Sequence, residues 1–146
     1  MFVFEPISPD TEGFDALLRE SLSEKHGMLQ RLQENWQNGT NRFSKPGEIL
    51  LGAFDSQRLI GICGRNIDPY TEDPKSGRIR HLYVAPSGRR QGIGRLLVTA
   101  IVDGASPPFE HLNARAPESA FPFYESLGFT RIESNPFVTH CLRLKA

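Results

Sequence analysis

The sequence predicts an α+β fold: a mostly antiparallel sheet of six to seven strands flanked by about four helices, in one domain over residues 1–146. Three observations carry this. Six short segments are dense in apolar, strand-forming residues, and four others place apolar residues at helical spacing. Two of the apolar segments are joined only by Asp55-Ser56-Gln57, which makes them an antiparallel hairpin.

The elements follow in order. Phe2 to Ile7 is a first strand; Ser8-Pro9-Asp10 then offers a cap, a proline at the first helical position and an acid in the first turn, with Phe14, Leu17, Leu18 and Leu22 as the buried stripe. A second helix carries Met28 or Leu29, Leu32 and Trp36 and stops at Asn38-Gly39. The polar stretch from Gly39 to Gly47 reads as a loop bordering a substrate groove. Glu48 to Phe54 and Leu59 to Asn66 form the hairpin, and their near-continuous apolar runs imply cover on both faces of the sheet. Tyr70 to Gly77, rich in Pro, Asp, Ser and Gly, is a connection near the site's mouth. Later strands run from Phe109 to Arg115 and from about Phe137 to Leu144, with Val138, His140, Leu142 and Leu144 on one face of the last.

The most informative run is Ile79 to Val98, IRHLYVAPSGRRQGIGRLLV. Alternation sets Ile79, His81 and Tyr83 against Arg80, Leu82 and Val84, and Pro86 ends the strand. Ile93, Leu96, Leu97, Ala100 and Ile101 then share one helical face, closed by Gly104. Between strand and helix lies a turn with Gly92, Gly94, Arg89, Arg90 and Arg95. Unpaired amides and a helix dipole there select an anion. A dinucleotide fingerprint would need glycine where Leu97 stands, and no Gly-Lys-Ser/Thr occurs.

Arg89-Arg90-Gln91-Gly92-Ile93-Gly94 resembles the Gln/Arg-x-x-Gly-x-Gly/Ala signature of the GNAT superfamily of N-acetyltransferases. Leu82-Tyr83-Val84-Ala85-Pro86 is similar to its Leu-x-Val-x-Pro lead-in, and Ala120 to Phe129 to its late Ala-x-x-x-Tyr-x-x-x-Gly-Phe helix. The resemblance implies a mixed sheet whose fourth and fifth strands splay apart. It implies acetyl-coenzyme A as co-substrate, its diphosphate on Arg89, Arg90, Gln91, Gly92, Ile93, Gly94 and Arg95, and its pantetheine arm along Leu82, Tyr83 and Val84. Asn113, on the opposite strand, would hold an arm amide; the alternative is a strand amide satisfied within the protein.

Acetyl transfer to an amine needs a neutral amine, a stabilised oxyanion and a proton for the departing thiolate. By resemblance Tyr124 supplies that proton; the alternative is a core aromatic beside Phe121 and Phe123. Pro122 fits the same helix if Ser119 caps it. Where many members carry a basic carboxylate or histidine on the fourth strand, this chain has Arg78 and Arg80, which cannot accept a proton. His81 is then the nearest candidate base, against a plain buried or surface histidine, with Glu110, His111 and Glu133 further off and a water chain as another route. Arg78 and Arg80 would select an amine that also carries a carboxylate, or else form a solvated basic edge. Lys25, His26 and Trp36 would shape the same groove.

Seventeen basic and seventeen acidic residues leave no net charge, which argues against general nucleic-acid or membrane-surface binding. MFVFEPISPD has neither a basic region nor a long apolar run, so neither a signal peptide nor a membrane span is expected, and the cytoplasm is the default. Cys63 and Cys141 have no metal-ligand companions, and no metal is expected. The expected function is an acetyl-coenzyme A-dependent N-acetyltransferase acting on a primary amine of a small molecule or peptide. The competing reading is a non-catalytic acyl-coenzyme A sensor or partner-binding domain. A homodimer is implied by the resemblance alone.

Overall fold

The computed structural model describes residues 2–145. Strands β1 (Phe2–Pro6), β2 (Ile49–Asp55), β3 (Arg58–Ile67), β4 (Ser76–Val84), β5 (His111–Ala114), β6 (Thr130–Arg131) and β7 (His140–Arg143) form one sheet in the order β1-β2-β3-β4-β5-β7-β6. Among the described residues only β4 and β5 run parallel. Helices α1 (Phe14–Ser23) and α2 (Met28–Gln37) cover one face; α3 (Ile93–Asp103) and α4 (Phe121–Ser126) cover the other. This is the expected mixed, mostly antiparallel sheet with four helices.

Cover on both faces explains the apolar runs of β2 and β3. Leu50, Leu59 and Ile62 pack against Phe14, Leu17, Leu29 and Leu32. Leu51, Ala53 and Cys63 pack against Ile93, Leu97, Val98 and Ile101 on α3. Each sealed aliphatic side chain contributes roughly 1.5–3 kcal/mol, so α3 and the turn before it are firmly seated. The hairpin turns through Ser56 and Gln57, both at positive φ (49° and 73°), the backbone a two-residue loop requires.

Several local expectations are corrected. The first helix begins at Phe14, because the Ser8-Pro9-Asp10 segment closes a separate turn in which the Ser8 amide donates to Thr11 Oγ1 and the Asp10 amide to Ser8 Oγ. Leu22 and Leu96 are exposed; Ser21 and Val98 take the buried positions. The last strand starts only at His140, since Asn135 Oδ1 accepts from the Phe137 amide and holds the chain in a turn. Ala120, not Ser119, is the N-cap of α4, and Pro122 falls in its first turn, where no amide is missed.

The decisive departure lies in β4. Gly64 pairs with Arg80 and Ile62 with Tyr83, so His81 and Leu82 together face Cys63 alone. This is a β-bulge, with His81 at φ 59°. Strict alternation therefore fails: Ile79 packs in the α3 core and Tyr83 in the α1–α2 core, on opposite faces. A bulge bends and twists its strand, and β4 leaves β5 just before it. Pairing with β5 ends at Arg78 and Asn113. β5 instead continues with the chain entering β7, where the Thr139 amide donates to the Ala114 carbonyl. The two parallel strands are splayed.

Candidate active site

Gly92 caps α3 at φ 76°, and Arg90 lies at φ 66°. Among the described residues, the amides of Arg90, Gln91, Gly92, Ile93, Gly94 and Arg95 make no well-formed hydrogen bond to a protein acceptor. Six consecutive free donors at the positive end of an eleven-residue helix make an anion site. Beyond its two chain neighbours, a Cβ built on Gly92 would meet none of the described residues within 4 Å, so the turn is open on that side. At Gly94 it would lie 3.7 Å from Phe123 of α4 and 3.8 Å from Val84 of β4, so the turn, the fourth strand and the late helix converge there. Arg95 adds a hydrogen bond to Ser126 Oγ at 3.1 Å.

Arg89 is committed elsewhere. Its guanidinium grips Glu24 at the end of α1 in two hydrogen bonds of 2.8 and 2.6 Å, its Nε donates to the Val84 carbonyl, and its amide donates to Pro86. Tyr83 donates its hydroxyl to the same carboxylate at 2.5 Å. Arg90 and Arg95 are the cations left beside the free amides. The Arg89 and Tyr83 hydrogen bonds hold the Glu24 carboxyl down at about 2. A depressed carboxyl stabilises the fold above its unfolded pKa and loses that contribution as pH falls through the folded one. Glu24→Gln should accordingly melt below the parent at pH 7, with the gap closing between about pH 4.5 and 2; an unchanged gap in thermal melts would contradict this.

Tyr124 is held by its helix end. The Phe129 amide donates to the Tyr124 carbonyl, the Gly128 amide to that of Glu125, and Gly128 sits at φ 95°, a Schellman motif with the Phe129 ring 5.3 Å from that of Tyr124. Fully buried His140 stacks on Tyr124 at 6.0 Å. The Tyr124 hydroxyl has no hydrogen-bond partner among the described residues, and none of their sealed side-chain polar atoms lacks one. The hydroxyl therefore keeps contact with open space. Burial pushes its pKa up, so it holds its proton. Burial likewise raises the neighbouring Cys63 thiol to about 12, leaving it inert.

From Ile79 to Val84 the β5-facing edge of β4 has no strand partner among the described residues, which leaves that edge open at Leu82 and Val84, while Tyr83 pairs with Ile62 of β3. The Tyr83 side chain points away, into the α1–α2 core. His81 is on that side too, edge-on to Phe43 at 6.2 Å, so the bulge brings it to the face of Arg80 rather than the opposite one. Burial first, then the Arg80 and Arg31 charges, push its pKa down to about 3. So placed, it is a poor proton acceptor. A histidine depressed this way is neutral in the fold, so stability is full above the unfolded value and falls as pH drops from about 6.5 towards 3. His81→Asn, which tolerates the positive φ, should gain about 1–2 kcal/mol on the parent between pH 7 and pH 5; no relative gain in chemical denaturation would refute it.

On this same face the loops expected to border a groove meet. Residues 39–48, the end of β3 and Tyr70 enclose a cavity of about 450 Å³ that Arg80 also lines. Arg78 is not available to it. Arg78 is buried against Asp68 at 3.4 Å, lies 4.7 Å over the Tyr70 ring and donates to the Phe137 carbonyl. Asp68 also accepts from Asn113 Nδ2 at 2.8 Å, so that amide nitrogen is satisfied internally. Glu110 pairs with Lys75 and His111 with Ser76 Oγ at the other end of β4, remote from the bulge. His26 packs edge-on against Tyr83, and Trp36 against the α1–α2 core.

A family model described as "Acetyltransferase (GNAT) domain" matches residues 18–144. The chain belongs to the GNAT acetyltransferase family. An aminoglycoside N(6')-acetyltransferase type 1 of Klebsiella aerogenes is 34% identical over 64 residues, a stretch that spans only 42% of each protein. Among solved structures, a candidate acetyltransferase of Exiguobacterium sp. 255-15 superposes with TM-score 0.87 at 28% identity, covering 98% of this chain and 93% of that one. The PaiA N-acetyltransferase of Thermoplasma acidophilum, solved with coenzyme A, gives TM-score 0.67 at 17% identity over 99% of both chains.

In this GNAT chain the motif residues of the turn, β4 and α4 lie together, as their convergence at Gly94 requires. Tyr70 opens the segment expected near the site's mouth, whereas Glu24, Glu48 and Asp68 join the site without any signal in the sequence that marks them. Asp68 meets Arg78 and Asn113, 10 and 45 positions away, and Glu24 meets Arg89, 65 positions away. No local pattern announces such pairings. Among the described residues no cluster is suited to a metal, and no helix is long and apolar enough to cross a membrane.

Proposed function

We propose that this chain transfers the acetyl group of acetyl-coenzyme A to a primary amine of a small molecule, by direct attack on the thioester. The free amides from Arg90 to Arg95, directly downstream of a strand edge released by its neighbour, carry the reading. They suit a diphosphate, with Arg90 and Arg95 nearby and the open space at Gly92 admitting it. The edge at Leu82, Tyr83 and Val84 suits an extended arm with amide groups of its own.

The amine nitrogen forms the new bond to the carbonyl carbon, the carbon–sulfur bond breaks, and the sulfur takes a proton. Tyr124 is the donor for that proton, because its hydroxyl is protonated, unpartnered and open. An amide of the β4 bulge, at Leu82, is the donor for the developing oxyanion. The amine's proton leaves through water in the cavity, since His81 accepts one poorly and both arginines of β4 accept none.

The weak base at His81 also favours a second reading, a coenzyme-binding domain without turnover. Calorimetry with acetyl-coenzyme A and thiol release over a broad amine panel separate the two. Tight binding with turnover is expected; tight binding with none over the panel would replace the transferase reading by the sensor. The Klebsiella relative's name specifies an aminoglycoside, a polycation. Arg42, Lys45 and Arg80 against the single carboxylate of Glu48 make this cavity a poor host for one.

A further inference from the structure

Arg80 is the unusual residue of the acceptor cavity. It is half-buried in the cavity wall, and among the described residues it has neither an ion pair nor a hydrogen bond. Burial pushes its pKa down; the Asp68 and Glu48 carboxylates lie near enough to act on it, but neither is paired with it. Arg42 and Lys45 also line this cavity but are exposed to water, and the buried charges near Arg80 are already answered. Arg78 has Asp68. The Glu48 carboxylate accepts from the Lys45 amide, the Ile67 amide and Asn66 Nδ2, and Asn66 in turn exchanges hydrogen bonds with Asn41. That network ties the 39–48 loop to β3 and fixes the cavity's shape. It leaves one desolvated cation facing the space, with Ile67, Pro69 and the half-exposed Tyr70 ring as apolar wall.

We propose that the acceptor is an amino acid with an apolar side chain, its carboxylate paired with Arg80 and its side chain against Ile67, Pro69 and Tyr70. A planar guanidinium matches a carboxylate in two parallel hydrogen bonds, and pairing would relieve the cost of its burial. Arg80 lies two residues before Leu82, and the bulge between them brings the two closer than the roughly 7 Å of two extended residues. An amine one carbon from an anchored carboxylate therefore stays close to the splayed edge where the thioester is placed. A cavity of about 450 Å³ suits a molecule of this size.

The inference rests on the transferase reading for its chemistry, but it is testable by binding alone. The first arm measures thiol release with phenylalanine and with phenylalaninamide; the amide has the less basic amine, so intrinsic reactivity favours it. The second arm measures, by calorimetry on the coenzyme A-loaded chain, binding of N-acetylphenylalanine and of N-acetylphenylalaninamide. The acid is expected to exceed the amide at least tenfold in kcat/KM and in affinity. Arg80→Gln should bring both ratios to within about twofold, and Arg80→Lys should restore part of them, with acetyl-coenzyme A affinity as the control for folding. Equal handling of acid and amide by the parent overturns the proposal, as does a preference that survives Arg80→Gln. Arg80-dependent binding of the acid without any turnover would uphold the anion site and sink the transferase reading. Turnover of both amines at equal efficiency would do the reverse.

Discussion

Gly92→Val is expected to weaken acetyl-coenzyme A binding at least a hundredfold while the chain still folds. Gly92 lies at φ 76°, where a β-branched residue is strained. Its missing Cβ also leaves open the space in front of six unpaired amides. Valine would push the backbone out of that conformation and fill the space a diphosphate needs. A hundredfold loss corresponds to about 2.8 kcal/mol, within what two or three charge-assisted hydrogen bonds supply. Beyond its two chain neighbours, no atom of the described residues lies within 4 Å of where the new Cβ would sit, so the structural cost is confined to the turn, and thermal melting should still report one cooperative transition. Calorimetry checks this: parent-like affinity would place the diphosphate elsewhere.

Tyr124→Phe should lower kcat about a hundredfold or more, the usual contribution of a positioned proton donor, with coenzyme affinity within about twofold of the parent. The hydroxyl has no partner in the protein among the described residues, so its removal orphans nothing. The ring keeps its contacts with Phe123, Phe129 and His140. Stability should therefore be unchanged or slightly raised. Because burial lifts the Tyr124 pKa, its ionisation should add no fall in rate up to about pH 10. Thiol release at saturating acetyl-coenzyme A measures the effect, and an undiminished kcat would remove Tyr124 from the chemistry.

What the chain discloses by itself depends on range. The α3 turn, its helix and the α4 stop are local: Gly92, Gly104 and Gly128 act within a few residues, and the apolar periods of β2, β3 and α3 report which faces are covered. The β4 bulge is not local. Alternation read through Ile79, His81 and Tyr83 holds only if β3 offers one residue for each, and Cys63 faces two. That slip decides which face carries His81 and how β4 parts from β5, so the site's chemistry is less legible than its frame. The arginines illustrate the same limit. Their identities announce positive charge, but only folding shows that Arg89 and Arg78 are neutralised by Glu24 and Asp68, whereas Arg80 has no such partner among the described residues.

The most direct test is a crystal structure of the chain with acetyl-coenzyme A. The account predicts the diphosphate oxygens within hydrogen-bond distance of amides between Arg90 and Arg95, the pantetheine arm along Leu82 to Val84, and the sulfur beside the Tyr124 hydroxyl. A coenzyme lying elsewhere, or β4 and β5 paired along their whole length around an empty turn, would contradict it.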